Sequence, residues 1–199
     1  TIAVSNKIFG EDHQDSLGAL DNLATYYLDN NQFNLAEDIF RQVLKRRTAL
    51  FGADYRHTLY SLENLGDLYF RQHDYEQAAN YYQRCLDKWL EKSGLNNPYT
   101  LYCLKGVAVT HMALRDFAEA EQLLTQHIDA ATQVFGKLHP QVLSASHQLA
   151  ELYQLTGRAE QAEQLFRQTL KARASVLGAS HKDTQETQKQ LSALLSNQK

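Results

Sequence analysis

One glycine recurs along this chain at a constant interval, and that interval limits the fold more than any other feature. The glycines lie 42 residues apart, at Gly10, Gly52, Gly94, Gly136 and Gly178. A fixed period of about 20 to 50 residues is the sequence signature of repeat architectures, in which each unit packs mainly on its neighbours. The chain is therefore predicted to be a tandem array without insertions.

Small and apolar residues keep the same period and form two stretches of helical spacing in each unit. An apolar residue comes thirteen positions after each glycine, and a small residue follows it in Ala24, Gly66, Ala108 and Ala150. A short polar segment, such as "RQHD" at 71, separates the two stretches. Only two prolines occur in 199 residues, so the pattern predicts an all-α fold of antiparallel helix pairs.

The period divides the chain into a partial helix, four repeats and a final helix. The predicted divisions are 1–9, 10–51, 52–93, 94–135, 136–177 and 178–199. Residues 1–9 match the end of a second helix, so the chain is either a fragment of a longer protein or starts with a half-repeat cap. We expect a longer native chain, because an array that begins in mid-helix would expose the apolar face of its first repeat. The final helix carries Gln185 and Gln188 where earlier units carry leucine, whereas Leu191, Leu194 and Leu195 are predicted to pack inward.

Each junction combines the glycine with a polar or aromatic residue three positions later. A glycine after a long helix is the usual left-handed terminator. Pro98 and Pro140 suit the first position of the next helix, which places Asn97 and His139 at the N-cap. A metal site or a phosphate loop is the alternative, but the equivalent residues vary and each junction offers a single glycine.

The repeat resembles the tetratricopeptide repeat, in which a small residue is followed by tyrosine three residues later and by alanine nine residues after that. The 42-residue period, the junction "GKLHP" and the segments "LDNLATYY" and "LENLGDLY" resemble the variety found in kinesin light chains. The resemblance implies a right-handed superhelical solenoid of about four repeats. It also implies a concave groove, lined by the first helices, that binds an extended peptide or a partner helix.

Positions in the family register name the residues that would line this groove. Repeats one and two contribute Asp21, Asn22, Thr25, Asp29, Tyr60, Glu63, Asn64, Asp67, Phe70 and Arg71. Repeats three and four contribute Tyr102, Lys105, Val109, Met112, His147, Gln148 and Glu151. The resemblance implies that Asn22 and Asn64 hydrogen-bond the backbone of the bound peptide, whereas Gly106 and Gln148 depart from that pattern.

Four carboxylates make the first half of the predicted groove acidic. Asp21, Asp29, Glu63 and Asp67 lie there, and the i, i+4 pair Glu63–Asp67 mildly destabilises its own helix. Either the stripe selects a ligand with lysine or arginine facing repeats one and two, or it is a solvated face partly neutralised by Arg71. The sequence leaves both interpretations open.

Composition and motifs disfavour the other classes of function. A net charge of -3 argues against nucleic acid, and no apolar run is long enough to cross a bilayer, so a cytoplasmic protein is expected. Cys85 and Cys103 are interpreted as buried small residues. No catalytic motif and no cofactor or metal site is recognised, and His147 with Glu151 is interpreted as a surface pair in preference to an acid–base pair.

These patterns together predict a non-catalytic scaffold for protein–protein interaction. The alternative is a sensor or regulatory array of a larger signalling or transcription-regulating protein. The oligomeric state and the identity of the partner are not encoded in any recognisable pattern.

Overall fold

The computed structural model describes residues 7–196, and within that range the chain is helical without a strand. The first helices are α1 (Gln14–Asp29), α3 (Arg56–Arg71), α5 (Pro98–Ala113) and α7 (Pro140–Leu155). The second helices are α2 (Phe33–Phe51), α4 (Tyr75–Ser93), α6 (Phe117–Phe135) and α8 (Ala159–Leu177), and α9 spans Lys182–Ser196. Each first helix has 16 residues and each second helix 19, which confirms the predicted pairs.

The helices belong to two compact units, Thr1–Lys92 and Ser93–Lys199. In the first unit α1 packs on α2, α2 packs on α3, and α1 also touches α3. In the second unit the consecutive helices from α5 to α9 pack on one another, and α5 also touches α7. In repeats one, three and four the first helix therefore packs on its own partner helix, and in both units a first helix also meets the first helix of the next repeat.

The junction glycines end the second helices with a positive φ, as predicted. Gly52 has φ 90° and ψ 163°, and Gly136 has φ 87° and ψ 154°. This conformation is extended with positive φ, a region almost exclusive to glycine, and not the left-handed helical conformation that we expected. The requirement for glycine is the same, because any other side chain would be strained there.

The residue three positions after each glycine caps the next helix. Asn97 Oδ1 accepts from the backbone N–H of Tyr99 at 2.9 Å, and His139 Nδ1 accepts from Gln141 N–H at 3.3 Å. His13 and His181 make the same bond, whereas Tyr55 caps without a side-chain bond. Pro98 and Pro140 begin α5 and α7, so the predicted cap register is confirmed.

Small residues let paired helices approach closely. Ala24, Ala108 and Ala150 are fully buried. At Gly66 an added Cβ would lie 2.7 Å from the ring of Tyr82 on α4. The space between the helices of repeat two is thus filled by an aromatic ring that rests directly on glycine.

The last helix covers the apolar side of repeat four. Leu191 and Leu194 are buried in a cluster with Ala150, Ala162 and Phe166, and Leu195 packs against this cluster. Gln185 and Gln188 are exposed, so the predicted division of α9 into an apolar and a polar face is confirmed. Between residues 7 and 196, no helix has the length and apolarity to span a membrane.

Candidate protein-interaction surface

The predicted groove residues differ widely in their access to solvent. Those that are exposed are Asn22, Thr25, Asp29 and Arg71. Those that are half-buried are Asp21, Tyr60, Glu63, Asn64, Asp67, Phe70, Tyr102, Lys105, Val109, Met112, Gln148 and Glu151. His147 is buried. The most open predicted positions therefore lie on α1 and at the C-terminal end of α3.

Asp21 forms an ion pair with an arginine from the second helix of its own repeat. Nη1 of Arg47 lies 2.5 Å from Oδ2 of Asp21, and the two side chains are only 2% and 15% exposed. Arg47 also donates to Ser61 Oγ at 2.8 Å and to the His57 carbonyl at 3.1 Å on α3. Burial raises the pKa of Asp21 even though Arg47 opposes the shift. Arg47 thus links α1, α2 and α3 through one guanidinium group.

Glu63, at the equivalent position in repeat two, is also enclosed. Its Oε1 accepts from Nε1 of Trp89 at 3.2 Å. Burial raises the pKa of Glu63 to about 8, Trp89 opposes the shift, and the nearby Asp67 carboxylate adds to it. Much of the Glu63 population is therefore protonated at neutral pH, which weakens the negative field that the sequence suggests here.

The other two carboxylates of the acidic stripe also have partners. The Tyr82 hydroxyl on α4 donates to Asp67 Oδ1. Arg71 Nη1 donates to Asp29 Oδ1 at 2.9 Å, and both side chains are about half exposed. The Asp29–Arg71 pair bridges the C-terminal ends of α1 and α3, where an exposed ion pair adds little stability.

The pairing between first-helix and second-helix side chains is the feature that sequence analysis missed. Asp21 meets Arg47 and Glu63 meets Trp89, and both pairs are separated by 26 positions. The signal was present in the 42-residue register, since the same two positions hold His147 and Arg173 in repeat four. Comparing the position of Asp21 and Glu63 with the position 26 residues later, across all repeats, would have shown that these acids face the interior of the repeat as well as the groove.

The His147–Glu151 pair exists but does not lie at the surface. Nε2 of His147 is 3.3 Å from Oε1 of Glu151, and the imidazole packs edge-on against Phe166. Nδ1 lies 3.3 Å from Oγ1 of Thr187 on α9. Because the His147 side chain is only 10% exposed, the interpretation as a surface pair is wrong for the histidine.

The groove positions of repeat three join apolar and cationic groups. The ammonium of Lys105 lies 6.0 Å from the centre of the Tyr102 ring, a cation–π distance. Met112 packs against the buried cluster around Ala108 and Leu149. This part of the predicted surface is therefore more apolar than that of repeat one.

An open pocket lies on the first-helix face of repeat one. It has a volume of about 500 Å³ and is lined by Gln14, Asp15, Gly18, Ala19, Asp21, Asn22, Arg47 and His57. Two of the predicted groove residues, Asp21 and Asn22, are among these residues. The pocket combines an exposed carboxamide, the Asp21–Arg47 ion pair and a glycine with open space where a side chain would stand.

Comparison with known families identifies the class of protein. A tetratricopeptide repeat model matches residues 15–91 and 99–175, and a second tetratricopeptide repeat model matches residues 63–134. The chain belongs to the tetratricopeptide repeat family. Proteins with this fold are generally protein-interaction scaffolds and typically non-catalytic, which agrees with the predicted class. No curated protein sequence matches the chain significantly.

Solved structures place the fold among repeats of the kinesin-light-chain type. BtubC (BKLC) from P. vanneervenii is similar with a TM-score of 0.81 and 21% identity, covering 98% of this chain and 82% of that one. A putative kinesin light chain with nearly identical repeats from Podosopora anserina gives 0.78 and 22%, covering 92% and 87%. A Rap protein complexed with competence and sporulation factor gives 0.74 and 14%, covering 99% and 57%.

Proposed function

We propose that this protein is a non-catalytic scaffold that binds an extended peptide along the first helices of repeats one and two. The observation that carries the proposal is the open pocket on α1, whose lining includes Gly18, Asp21 and Asn22. A surface that combines a concave opening with a few convergent polar groups is the usual form of a binding site.

Asn22 is the side chain best placed to hold a peptide. It is exposed and lines the pocket, and a carboxamide both donates and accepts hydrogen bonds, as a peptide backbone requires. Asn64 is half-buried, and its amide approaches the Asp21 carboxylate closely enough to lower the pKa of that group. The two asparagines therefore differ in the proposed role, since Asn22 is open and Asn64 is partly engaged.

Charge selection in this proposal comes from fewer acids than the sequence suggests. Asp29 is exposed but paired with Arg71, and Glu63 is largely enclosed. A ligand with lysine or arginine would therefore meet an exposed carboxylate at the α1 end, where Asp15 lies beside the Asp21–Arg47 pair. The alternative of a regulatory array within a larger protein stays a prediction, which the sequence preceding residue 1 would test.

A selected peptide tests the proposal. A random-peptide library is panned against the unaltered protein, and binding of the best peptide is measured by calorimetry with Asn22→Ala, Asn64→Ala and a control, Gln42→Ala, on the exposed face of α2. We expect Asn22→Ala to weaken binding by about tenfold or more, because the peptide would lose a hydrogen bond at a site that is partly shielded from water. The control should bind normally. Equal affinities for all four proteins would contradict the proposal.

A further inference from the structure

The pocket of repeat one is lined by side chains whose buried polar atoms lack hydrogen bonds. The carboxamide oxygen of Gln14, Oδ1 of Asp21 and Nε of Arg47 are all buried without a hydrogen-bond partner among residues 7–196, and the Asn64 carboxamide also lies near the Asp21 carboxylate. All three side chains line the same pocket. A buried polar atom without a partner costs about 1 to 3 kcal/mol, so a ligand that bonded these atoms would recover part of that cost.

A glycine on α1 leaves open space between two polar side chains that line the pocket. Gln14, Gly18 and Asn22 follow one another at four-residue spacing, so they lie on one face of the helix. An added Cβ at Gly18 would meet nothing within 4 Å. The glycine thus leaves space between two carboxamides, into which the Gln14 side chain would rotate to bring its oxygen to a ligand.

The chemistry of the lining favours a cationic donor. Two of the three atoms without a hydrogen bond are acceptors, and the exposed carboxylate of Asp15 stands at the rim. Asp21 and Arg47 offset each other's charge, so the charge that remains in the lining is the carboxylate of Asp15. A group with several N–H donors and a positive charge would satisfy these acceptors, whereas an anion would be repelled by the carboxylate of Asp15.

We propose that this pocket binds the ammonium or guanidinium group of a lysine or arginine side chain through the oxygens of Gln14 and Asp21. The inference deepens the proposed function, on which it rests, because the cation would belong to the bound peptide. It assigns the basic residue of that peptide to the N-terminal half of α1.

Small cations test the pocket without a peptide. Methylammonium and methylguanidinium are titrated into the ¹⁵N-labelled protein, with acetamide as the neutral probe, and the resonances of Gln14, Gly18 and Asn22 are followed. We expect saturable shifts with both cations and none with acetamide. Acetamide shifts of equal size would overturn the assignment of a cation site.

Two variants separate binding at the pocket from weak binding at surface carboxylates. Gln14→Leu should weaken cation binding by about tenfold, as for one hydrogen bond to a charged group, and Gly18→Leu should abolish it by filling the gap. Gln141→Leu makes the same change at the start of α7 and should bind as the unaltered protein does. Unchanged binding in the first two variants would contradict the inference.

The two proposals fail in different ways. If the selected peptide binds α1 and α3 but has no basic residue, the proposed function stands and the cation site is overturned. If the cations bind as expected and the selected peptide binds the Asn22→Ala and Asn64→Ala variants with unchanged affinity, the cation site stands and the proposed function is overturned.

Discussion

Arg47 and Arg173, three repeats apart, make the same two contacts with the helix that follows them. Each donates from Nη1 to a hydroxyl fourteen positions later, in Ser61 and in Thr187. Each also donates to a backbone carbonyl ten positions later. The two centres differ in the first helix, because the carboxylate of Asp21 is replaced by the imidazole of His147. The arginine is the same in both repeats, whereas the equivalent first-helix position holds a carboxylate in repeat one and an imidazole in repeat four.

Replacing Arg47 by methionine should lower the free energy of unfolding by about 3 to 5 kcal/mol, because Asp21 would remain buried without its cation. Arg173→Met should cost less, since Arg173 donates to a hydroxyl and a backbone carbonyl, and the Glu151 and Asp183 carboxylates act on it only as nearby charges. Urea denaturation measures both. The double variant Asp21→Asn with Arg47→Met should regain part of the loss, and equal losses in the two single variants would contradict this account.

The glycines of the first helices should respond in opposite directions to alanine. Gly66→Ala places a methyl group 2.7 Å from the Tyr82 ring, so overpacking of about 1 to 3 kcal/mol should outweigh the gain in helix propensity. Gly18→Ala meets open space and should stabilise the protein by up to about 1 kcal/mol. Thermal unfolding compares the two variants. Stabilisation by Gly66→Ala would contradict the prediction and would show that the Tyr82 ring on α4 moves away at little cost.

Most of this fold could be predicted from the sequence because the same local signals recur in successive repeats. Glycine stands at every junction, asparagine or histidine caps four of the helices that follow, and proline begins two of them. The turns within the repeats were less predictable, because Asn31, His73 and Arg115 adopt positive φ where only Gly157 carries the expected residue. At three of these turns a residue other than glycine adopts a positive φ, and no local sequence pattern predicts this conformation.

The position of the candidate site could be predicted from the sequence, but the burial and pairing of its acidic residues could not. Register placed Asp21, Glu63 and Asn22 on the first helices. It did not show that Asp21 and Glu63 are enclosed by Arg47 and Trp89, since burial depends on the width of side chains on another helix. Charge counted along the chain therefore overstated the free acidity of repeats one and two.

His127 should make stability depend on pH. It is fully buried on α6, and burial together with repulsion from Lys105 lowers its pKa to about 4 from the usual 6.5. The unfolded chain then binds more protons than the folded chain between these values, so the free energy of unfolding should fall as pH drops from 6.5 to 4. The full loss is about 3 kcal/mol.

A variant isolates this histidine from the other titrating groups. The equivalent position holds Val43 in repeat one and Thr169 in repeat four, so His127→Val is compatible with the fold. Urea denaturation at pH 7 and pH 4.5 should show a smaller drop for His127→Val than for the unaltered protein. Equal drops would mean that His127 is protonated in the folded state without penalty.

Hydrogen exchange with the selected peptide bound tests the central claim most directly, because it maps the contact on the unaltered protein. Amide protection is measured by mass spectrometry for segments covering α1 to α4, with and without saturating peptide. We predict that new protection concentrates in residues 14–29 and 56–71, the first helices of repeats one and two. Protection confined to α2 and α4, with no change in α1 and α3, would contradict the proposed binding surface.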